Sequence, residues 1–311
     1  MAAADPKVSR SNAATAGANE ERIDASSHTA ALSGTQAFPM SAQVARIDHV
    51  TATASTQLDA RRRWEAGAAR LTSVVADLQT GGHGRLGRTW QAPEGSSLLV
   101  STIVAIPATD AARESLGFLT MVSALAIRAA IAEATSAEAL VSWPNDVVLR
   151  GEGTEARKVA GILGEFLGER DGSLWAVMGV GVNLIQSAAE LAASPETAGA
   201  TSLLASGALA VTPEVASESA SLRDHLLASY LANLAERVAL LETNQPTAVV
   251  DEMNRVSADV DAQVSVGTLD GTVEGAGRRI TENGSLQIAT HRGLVTVTTG
   301  QVAMFAMEGT K

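Results

Sequence analysis

Gln79-Thr80-Gly81-Gly82-His83-Gly84-Arg85-Leu86-Gly87-Arg88-Thr89-Trp90 carries four glycines, two arginines and a histidine, and it follows the apolar, β-like run Val74-Val75-Ala76. Glycine adopts backbone angles that other residues avoid and lets a chain come close to a ligand. Arginine presents a planar fork of donors matched to phosphate and carboxylate. Together on one loop after a strand, they point to an anionic ligand gripped partly by backbone N–H groups. A surface turn with solvated charges is the alternative. The loop is not a P-loop, because no Gly-Lys-Ser/Thr follows. It makes a poor dinucleotide fingerprint, because no helical pattern opens at Leu86-Gly87-Arg88-Thr89-Trp90.

The chain around this loop has 311 residues, enough for one large domain or two modest ones, and its 46% hydrophobic content can bury a sizeable core. The formal charge of -11 argues against a nucleic-acid partner, which calls for a basic patch. There is no cysteine, so disulfides, thiolate catalysis and cysteine-ligated metals are excluded. No apolar run has bilayer length, and the N-terminus lacks a signal-peptide hydrophobic region. The cytoplasm is the expected location, with no membrane partner. Of 23 basic residues only three are lysines, Lys7, Lys158 and Lys311. Lys158 is the single interior one, and a lysine point charge on a flexible stem does what a guanidinium fork does not. Chance is the other explanation.

In chain order, residues 1–42 are rich in Ala, Ser, Thr, Gly and Asn without hydrophobic period, and are expected to be disordered. Ala42-Gln43-Val44-Ala45-Arg46-Ile47-Asp48-His49-Val50 reads as the first strand. A helix is expected from Leu58, with Ser55 or Thr56 as N-cap. Ser97-Leu98-Leu99-Val100-Ser101-Thr102-Ile103-Val104 is β-like. Residues 116–134 have helical spacing, with Leu119, Val122, Leu125, Ala126, Ala129 and Ala130 on one face. Leu140-Val141-Ser142, Val147-Val148-Leu149, the run after Lys158, and Trp175-Ala176-Val177-Met178-Gly179-Val180-Gly181-Val182-Asn183 read as strands. Thr212-Pro213 opens a long helix with an apolar stripe at Val215, Leu222, Leu226, Tyr230 and Leu234, ended by Asn244-Gln245-Pro246. From about Ser257 five short strands with turns at Asn283-Gly284 and Arg292-Gly293 read as a small β-barrel.

Trp143-Pro144-Asn145-Asp146 is compact, and its polar pair sits at a strand-connecting edge; an Asx-turn satisfying local backbone explains it equally. Arg157-Lys158-Val159-Ala160-Gly161-Ile162-Leu163-Gly164-Glu165 puts the interior lysine at the start of an apolar strand. If that strand pairs with Val147-Val148-Leu149, Lys158 lies near Asp146 only if the register allows.

These stretches together resemble the biotin protein ligases, also called biotin–[acetyl-CoA-carboxylase] ligases. The resemblance is carried by Ser55-Thr56-Gln57, Gln79 with the Gly82-to-Trp90 loop, Trp143-Pro144-Asn145-Asp146, Lys158 with Gly161-Ile162-Leu163, and Gly179-Val180-Gly181-Val182-Asn183. It implies an α+β fold: a mixed sheet with helices, like the class II aminoacyl-tRNA synthetases, over residues 43–256, then a small SH3-like β-barrel over residues 257–311. It implies two reactions. Biotin and ATP, with Mg²⁺, give biotinyl-5′-AMP and pyrophosphate. A lysine of a biotin carboxyl carrier domain of acetyl-CoA or another acyl-CoA carboxylase then takes the biotinyl group.

The resemblance also implies roles. Lys158, Arg85 and Asp146 are the catalytic candidates: a point charge between two anions, a phosphate-binding clamp, and an aid to deprotonating the acceptor lysine. Ser55, Thr56, Gln57, Gln79, His83, Gly84, Gly161, Leu163, Gly179 and Gly181, with Arg85 and Lys158, are implied at biotin. Arg88, Trp90, Asn145 and Asn183, again with Arg85 and Lys158, are implied at ATP and the adenylate. Asn145 and Asn183 are candidates near adenine or the metal; the metal's full ligand set is unknown. His83 stands where many members have Arg, and Gln57 where Asn is common. The N-terminal residues are too few and unpatterned for the winged helix-turn-helix of the DNA-binding members, so no DNA partner is expected. A lipoate–protein ligase shares the fold and the adenylate chemistry, but its Arg-Arg-x-x-Gly-Gly-Gly loop is missing; a non-catalytic binding module of the fold is the remaining alternative.

Overall fold

The computed structural model of the chain describes residues 34–151, 155–195, 197–209 and 216–304. Order begins before residue 43. Helix α1 (Gly34–Ala37) leads into a 3-10 turn at Ser41–Gln43, and Phe38 between them is 1% exposed. The Asp224 carboxylate accepts from the N–H groups of Met40 and Ser41 and from the Ser41 hydroxyl, at 2.8, 2.9 and 2.6 Å. Residues 34–42 were expected to be disordered; one buried aromatic and three donors to one carboxylate hold them without any periodicity. Residues 1–33 lie outside the described residues.

The first strand, β1 (Ile47–Thr53), starts later than expected and is followed by α2 (Thr56–Glu65), β2 (Ser73–Gln79) and a two-rung ladder of β3 (Gly82–His83) with β4 (Thr89–Trp90). Next come β5 (Ser97–Pro107), α3 (Asp110–Glu114) and α4 (Phe118–Ala134). Strands β6 (Glu138–Ser142), β7 (Asp146–Arg150), β8 (Arg157–Arg170) and β9 (Ser173–Asn183) run antiparallel in succession. The seven long strands form one sheet in the order β1-β2-β5-β9-β8-β7-β6. Only β1 and β2 are parallel, joined by α2, so the sheet is mixed.

Successive strand residues point to opposite faces. Met178, Val180 and Val182 of β9, with Val100 and Val104 of β5, enter the large core. That core lies under α4 and α6 (Ala216–Glu242), which follows the short α5 (Ala188–Ala192). Helix α4 is buried nearly all round, beyond the single expected face, because it lies between sheet and helix and its alanines allow close approach. Of the stripe expected on α6, Leu226, Tyr230 and Leu234 are fully buried, while Thr212, Pro213 and Val215 lie outside the described residues. On the other face α2 covers Val74, Ile103 and Val177 with Ala60.

Helix α7 (Pro246–Val256) was not expected: Pro246 was read as a terminator, and it opens the next helix instead. The last strands, β10 (Gln263–Thr268), β11 (Gly271–Ile280), β12 (Leu286–Thr290), β13 (Gly293–Val297) and β14 (Gln301–Met304), form an antiparallel sheet in the order β13-β12-β11-β10-β14. Gly284 and Gly293 have φ of +79° and +114°, which explains glycine at both expected turns. Among the described residues no helix is long and apolar enough to cross a membrane.

Candidate active site

The face of β9 opposite Met178, Val180 and Val182 carries Val177, Gly179, Gly181 and Asn183. Val177 packs under α2, and beyond it the two glycines leave the sheet surface bare. A cavity of about 550 Å³ opens there, with walls from α2, β2, the β3–β4 loop, β5, the β6–β7 turn, β8 and the segment after α5. Every site residue singled out in the sequence lines this one cavity, from Ser55 through Asn183.

At one end the wall is polar. Ser55 holds the N-cap position of α2, one of the two caps expected from the sequence, and its side chain makes no capping bond. The Thr56 N–H and hydroxyl both donate to Gln79 Oε1, at 2.8 and 3.0 Å. Thr56 has one hydroxyl proton, so its 2.8 Å contact with Ser101 Oγ is donated by Ser101. With Oε1 occupied twice, the Gln79 amide turns its Nε2 outward as a donor.

At the other end lies the interior lysine. The β7–β8 ladder pairs Asp146 with Gly161 and Val148 with Lys158, with a bulge between. The lysine stem runs back over Gly161, where a Cβ would fall 3.1 Å from both Cε and Nζ. Lys158 Nζ then meets Asp146 Oδ2 at 2.8 Å. Asn145, 9% exposed, donates to Ile162 O at 2.8 Å and accepts from Arg85 Nη1 at 2.6 Å, so the glycine-rich loop is tied to the Trp143–Asp146 turn.

The loop is a narrow ribbon. Gly84 N–H donates to Arg88 O at 2.7 Å, and Gly87 turns with φ of +75°. Trp90 lays its indole on the bare strands: a Cβ on Gly181 would fall 2.6 Å from the ring. Its Nε1 is buried without a partner, a donor available to something that enters the cavity. His83 and Arg88 are exposed on the ribbon.

The turn that carries Asn145 and Asp146 is gripped by the C-terminal strands. Trp143 Nε1 donates to Gly284 O at 2.8 Å. Asp259, fully buried, accepts from Trp143 N–H at 2.5 Å and from Ser142 Oγ at 3.2 Å. Burial pushes the Asp259 carboxyl up to about 7; the two donors pull it down, and Asp146 adds to the rise. The Trp143–Pro144 peptide bond is cis.

Among the lining residues not read from the sequence are Ser101, Glu165, Thr197 and Gly300. Ser101 is a buried serine in an apolar strand, and its alternation with Val100 was the available signal. Glu165 follows the noted Lys158 strand at the same parity as Gly161 and Leu163. Thr197 and Gly300 come from segments without a motif; Thr201 N–H donates to Lys158 O at 2.7 Å, which closes the region after α5 over the lysine strand. Asn183 donates to Thr201 O at 3.0 Å and accepts from Gln186 Nε2 at 3.2 Å.

The family profile described as the biotin/lipoate A/B protein ligase family matches residues 47–183, the span that holds most of this cavity. The chain is 31% identical over 263 residues to a biotin–[acetyl-CoA-carboxylase] ligase of Mycobacterium tuberculosis, covering 83% of this chain and 88% of that relative. It is 34% identical over 132 residues to the bifunctional ligase/repressor BirA of Bacillus subtilis, a match that spans only 38% of that protein. In fold it is similar to a biotin protein ligase from Aquifex aeolicus solved in complex with biotin and ATP, with a TM-score of 0.62 and 24% identity over 83% of this chain and 97% of that one. The mixed sheet, the C-terminal antiparallel sheet and the relative matched over 88% of its length agree: the chain belongs to the biotin protein ligases, within the biotin/lipoate A/B protein ligase family.

Proposed function

We propose that the chain is an ATP-dependent biotin protein ligase, which forms biotinyl-5′-AMP and passes the biotinyl group to a lysine of a biotin carboxyl carrier domain of an acyl-CoA carboxylase. The observation that carries this reading is Lys158 Nζ, half-buried in the cavity beside Asp146. Two anions, a carboxylate and an α-phosphate, must meet there, and a fixed cation offsets their repulsion in the transition state. A lysine point charge reaches both; a guanidinium at that spot would meet Trp90 and the Gly161 backbone.

In this reading biotin's ring lies at the polar end, against Ser55, Thr56 and Gln79, and Gly161, Leu163, Gly179 and Gly181 shape the slot for the ring and the valeryl chain. Its carboxylate points to Lys158. ATP lies toward Arg85, Arg88, Asn145 and Asn183. Trp90 and the ribbon cover the adenylate and exclude water, which would otherwise hydrolyse the anhydride. When the ligand's anions draw Lys158, Asp146 is left beside the anhydride. There it accepts the proton of the incoming lysine amine, whose free pKa is about 10.4.

Mg²⁺ would enter with the nucleotide and offset part of its phosphate charge. Among the described residues no group of three His, Asp or Glu side chains could hold an ion alone. Asp146 and Asn183 would offer it side-chain oxygens; Asn145 and Glu165 are further oxygen-bearing side chains on the cavity wall.

The polar end favours a ligand with both donors and an acceptor, as in a ureido ring, over the dithiolane of lipoate. The test is biotin-dependent exchange of pyrophosphate into ATP, run beside lipoate. Exchange with biotin supports the reading; exchange with lipoate alone, or with neither, refutes it.

A further inference from the structure

The Gln57 side chain ends on a carboxylate. Its Nε2 donates to Glu165 Oε2 at 3.1 Å, and the Arg61 guanidinium binds the other oxygen, Oε1. An ionised carboxylate accepts and cannot donate, so the amide has one stable orientation: nitrogen toward Glu165, oxygen away. Gln57 Oε1 therefore faces β9. No described residue donates to it. A Cβ on Gly179 would fall 2.5 Å from that oxygen, 3.4 Å from Leu163 O and 3.5 Å from Ser101 Oγ. Gln57 Oε1 thus sits in the space a side chain at Gly179 would fill, on the cavity wall, with Leu163 O and Ser101 Oγ beside it. Ser101 has given its proton to Thr56, so it too faces this space as an acceptor.

The geometry points to Glu165, held by Arg61, as the positioning residue that fixes Gln57 as an acceptor for a ring N–H of the ligand. This rests on the reading above, in which the ligand is biotin. It gives the polar end a fixed code: a donor at Gln79 Nε2 for the ureido oxygen, and acceptors over Gly179 for one ureido N–H. A ligand that lacks an N–H at that place leaves Gln57 Oε1 unpaired in a dry site, and unpaired buried groups are what site selectivity rests on. Glu165 touches no reacting atom; it acts through Gln57.

The test compares pyrophosphate exchange by the full chain with biotin and with each of its two N-monomethyl derivatives. The wild-type chain should reject one derivative about tenfold more strongly than the other, the difference between a kept and a lost hydrogen bond. Glu165→Gln can donate as well as accept, so it frees the Gln57 amide to turn over. The KM for biotin should then rise about tenfold, the difference between the two derivatives should fall to about twofold, and the KM for ATP should stay put, a split that loss of fold would not give. Glu165→Asp keeps an accepting carboxylate and should restore the discrimination. Gln57→Met fills the same space without an amide and should lose the discrimination; it serves if Glu165→Gln does not fold. A Glu165→Gln or Gln57→Met chain with the wild-type KM for biotin and the wild-type discrimination overturns the inference. A wild-type chain inactive with biotin itself overturns the parent reading and this one with it; a wild-type chain active with biotin but indifferent to the methyl position overturns this one alone.

Discussion

Lys158 Nζ lies 2.8 Å from Asp146 Oδ2, although the strand ladder pairs Asp146 with Gly161 and leaves Lys158 beyond a bulge. The contact exists because Gly161 has no side chain. The lysine stem crosses the space a Cβ would fill, and a residue three positions away in sequence delivers its charge to the turn. Lys158 is 37% exposed, so the ion pair adds little stability. Its value is placement.

Lys158→Ala should therefore fold normally and lose adenylate formation. Removing one preorganised charge partner of this kind costs about 10²–10³ in rate. Lys158→Arg should also be impaired, because the planar fork has no room beside Trp90. Pyrophosphate release from biotin and ATP is the measurement; near-normal release by Lys158→Ala would contradict the assignment.

Gly181→Ala should displace the Trp90 indole, since the new methyl would stand 2.6 Å from the ring. Overpacking of this kind costs about 1–3 kcal/mol. The indole is on the ribbon and not in the core, so the loss should appear in adenylate affinity rather than in unfolding. Calorimetric binding of biotinyl-5′-AMP reads it, and unchanged affinity would show that Trp90 does not need its seat on β9.

If the first step belongs to Lys158, as proposed, Arg85→Gly should still make the adenylate but release it faster. The 2.6 Å bond from Arg85 to Asn145 ties the ribbon to the Trp143–Asp146 turn, and the variant lacks that tie. Escaped adenylate would label lysines of an added bystander protein. Release no faster than wild type, or complete loss of adenylation, would remove Arg85 from the clamp.

Asp259 gives a pH signature with a definite sign. A free aspartate has a pKa of about 3.9. Burial, with Asp146 nearby, lifts Asp259 to about 7 in the folded chain despite the Trp143 and Ser142 donors. Between those values the folded state holds a proton that the unfolded state has lost, so this group's effect on stability grows less favourable as pH rises from about 4 to about 7, then levels. Asp259→Asn keeps the shape and a neutral side chain. Wild type minus variant, from urea unfolding, should fall by on the order of a few kcal/mol across that window. A flat difference would show that the carboxyl titrates normally.

Much of this was legible in the sequence because the motifs sit at strand ends, where side chains of one parity share a face. Gly161, Leu163, Gly179 and Gly181 fall on the cavity side by alternation alone. The register that joins Lys158 to Asp146 was not legible, because a bulge between Val147 and Val148 shifts it by one residue. Helix α7 was hidden by Pro246, which opens a helix as readily as it stops one. The ordering of residues 34–42 rests on Phe38 and on Asp224, nearly two hundred residues later in the chain, a contact that leaves no local pattern. Glu165 was passed over because its partners, Gln57 and Arg61, lie on α2, about a hundred residues earlier.

The most direct test of the central claim is intact-mass spectrometry of a biotin carboxyl carrier domain incubated with the chain, ATP and an equimolar mixture of biotin and lipoate. The domain should gain one biotinyl group on a single lysine, and Lys158→Ala should abolish the gain. A lipoyl adduct, or an unmodified domain in the presence of active, folded chain, would contradict it.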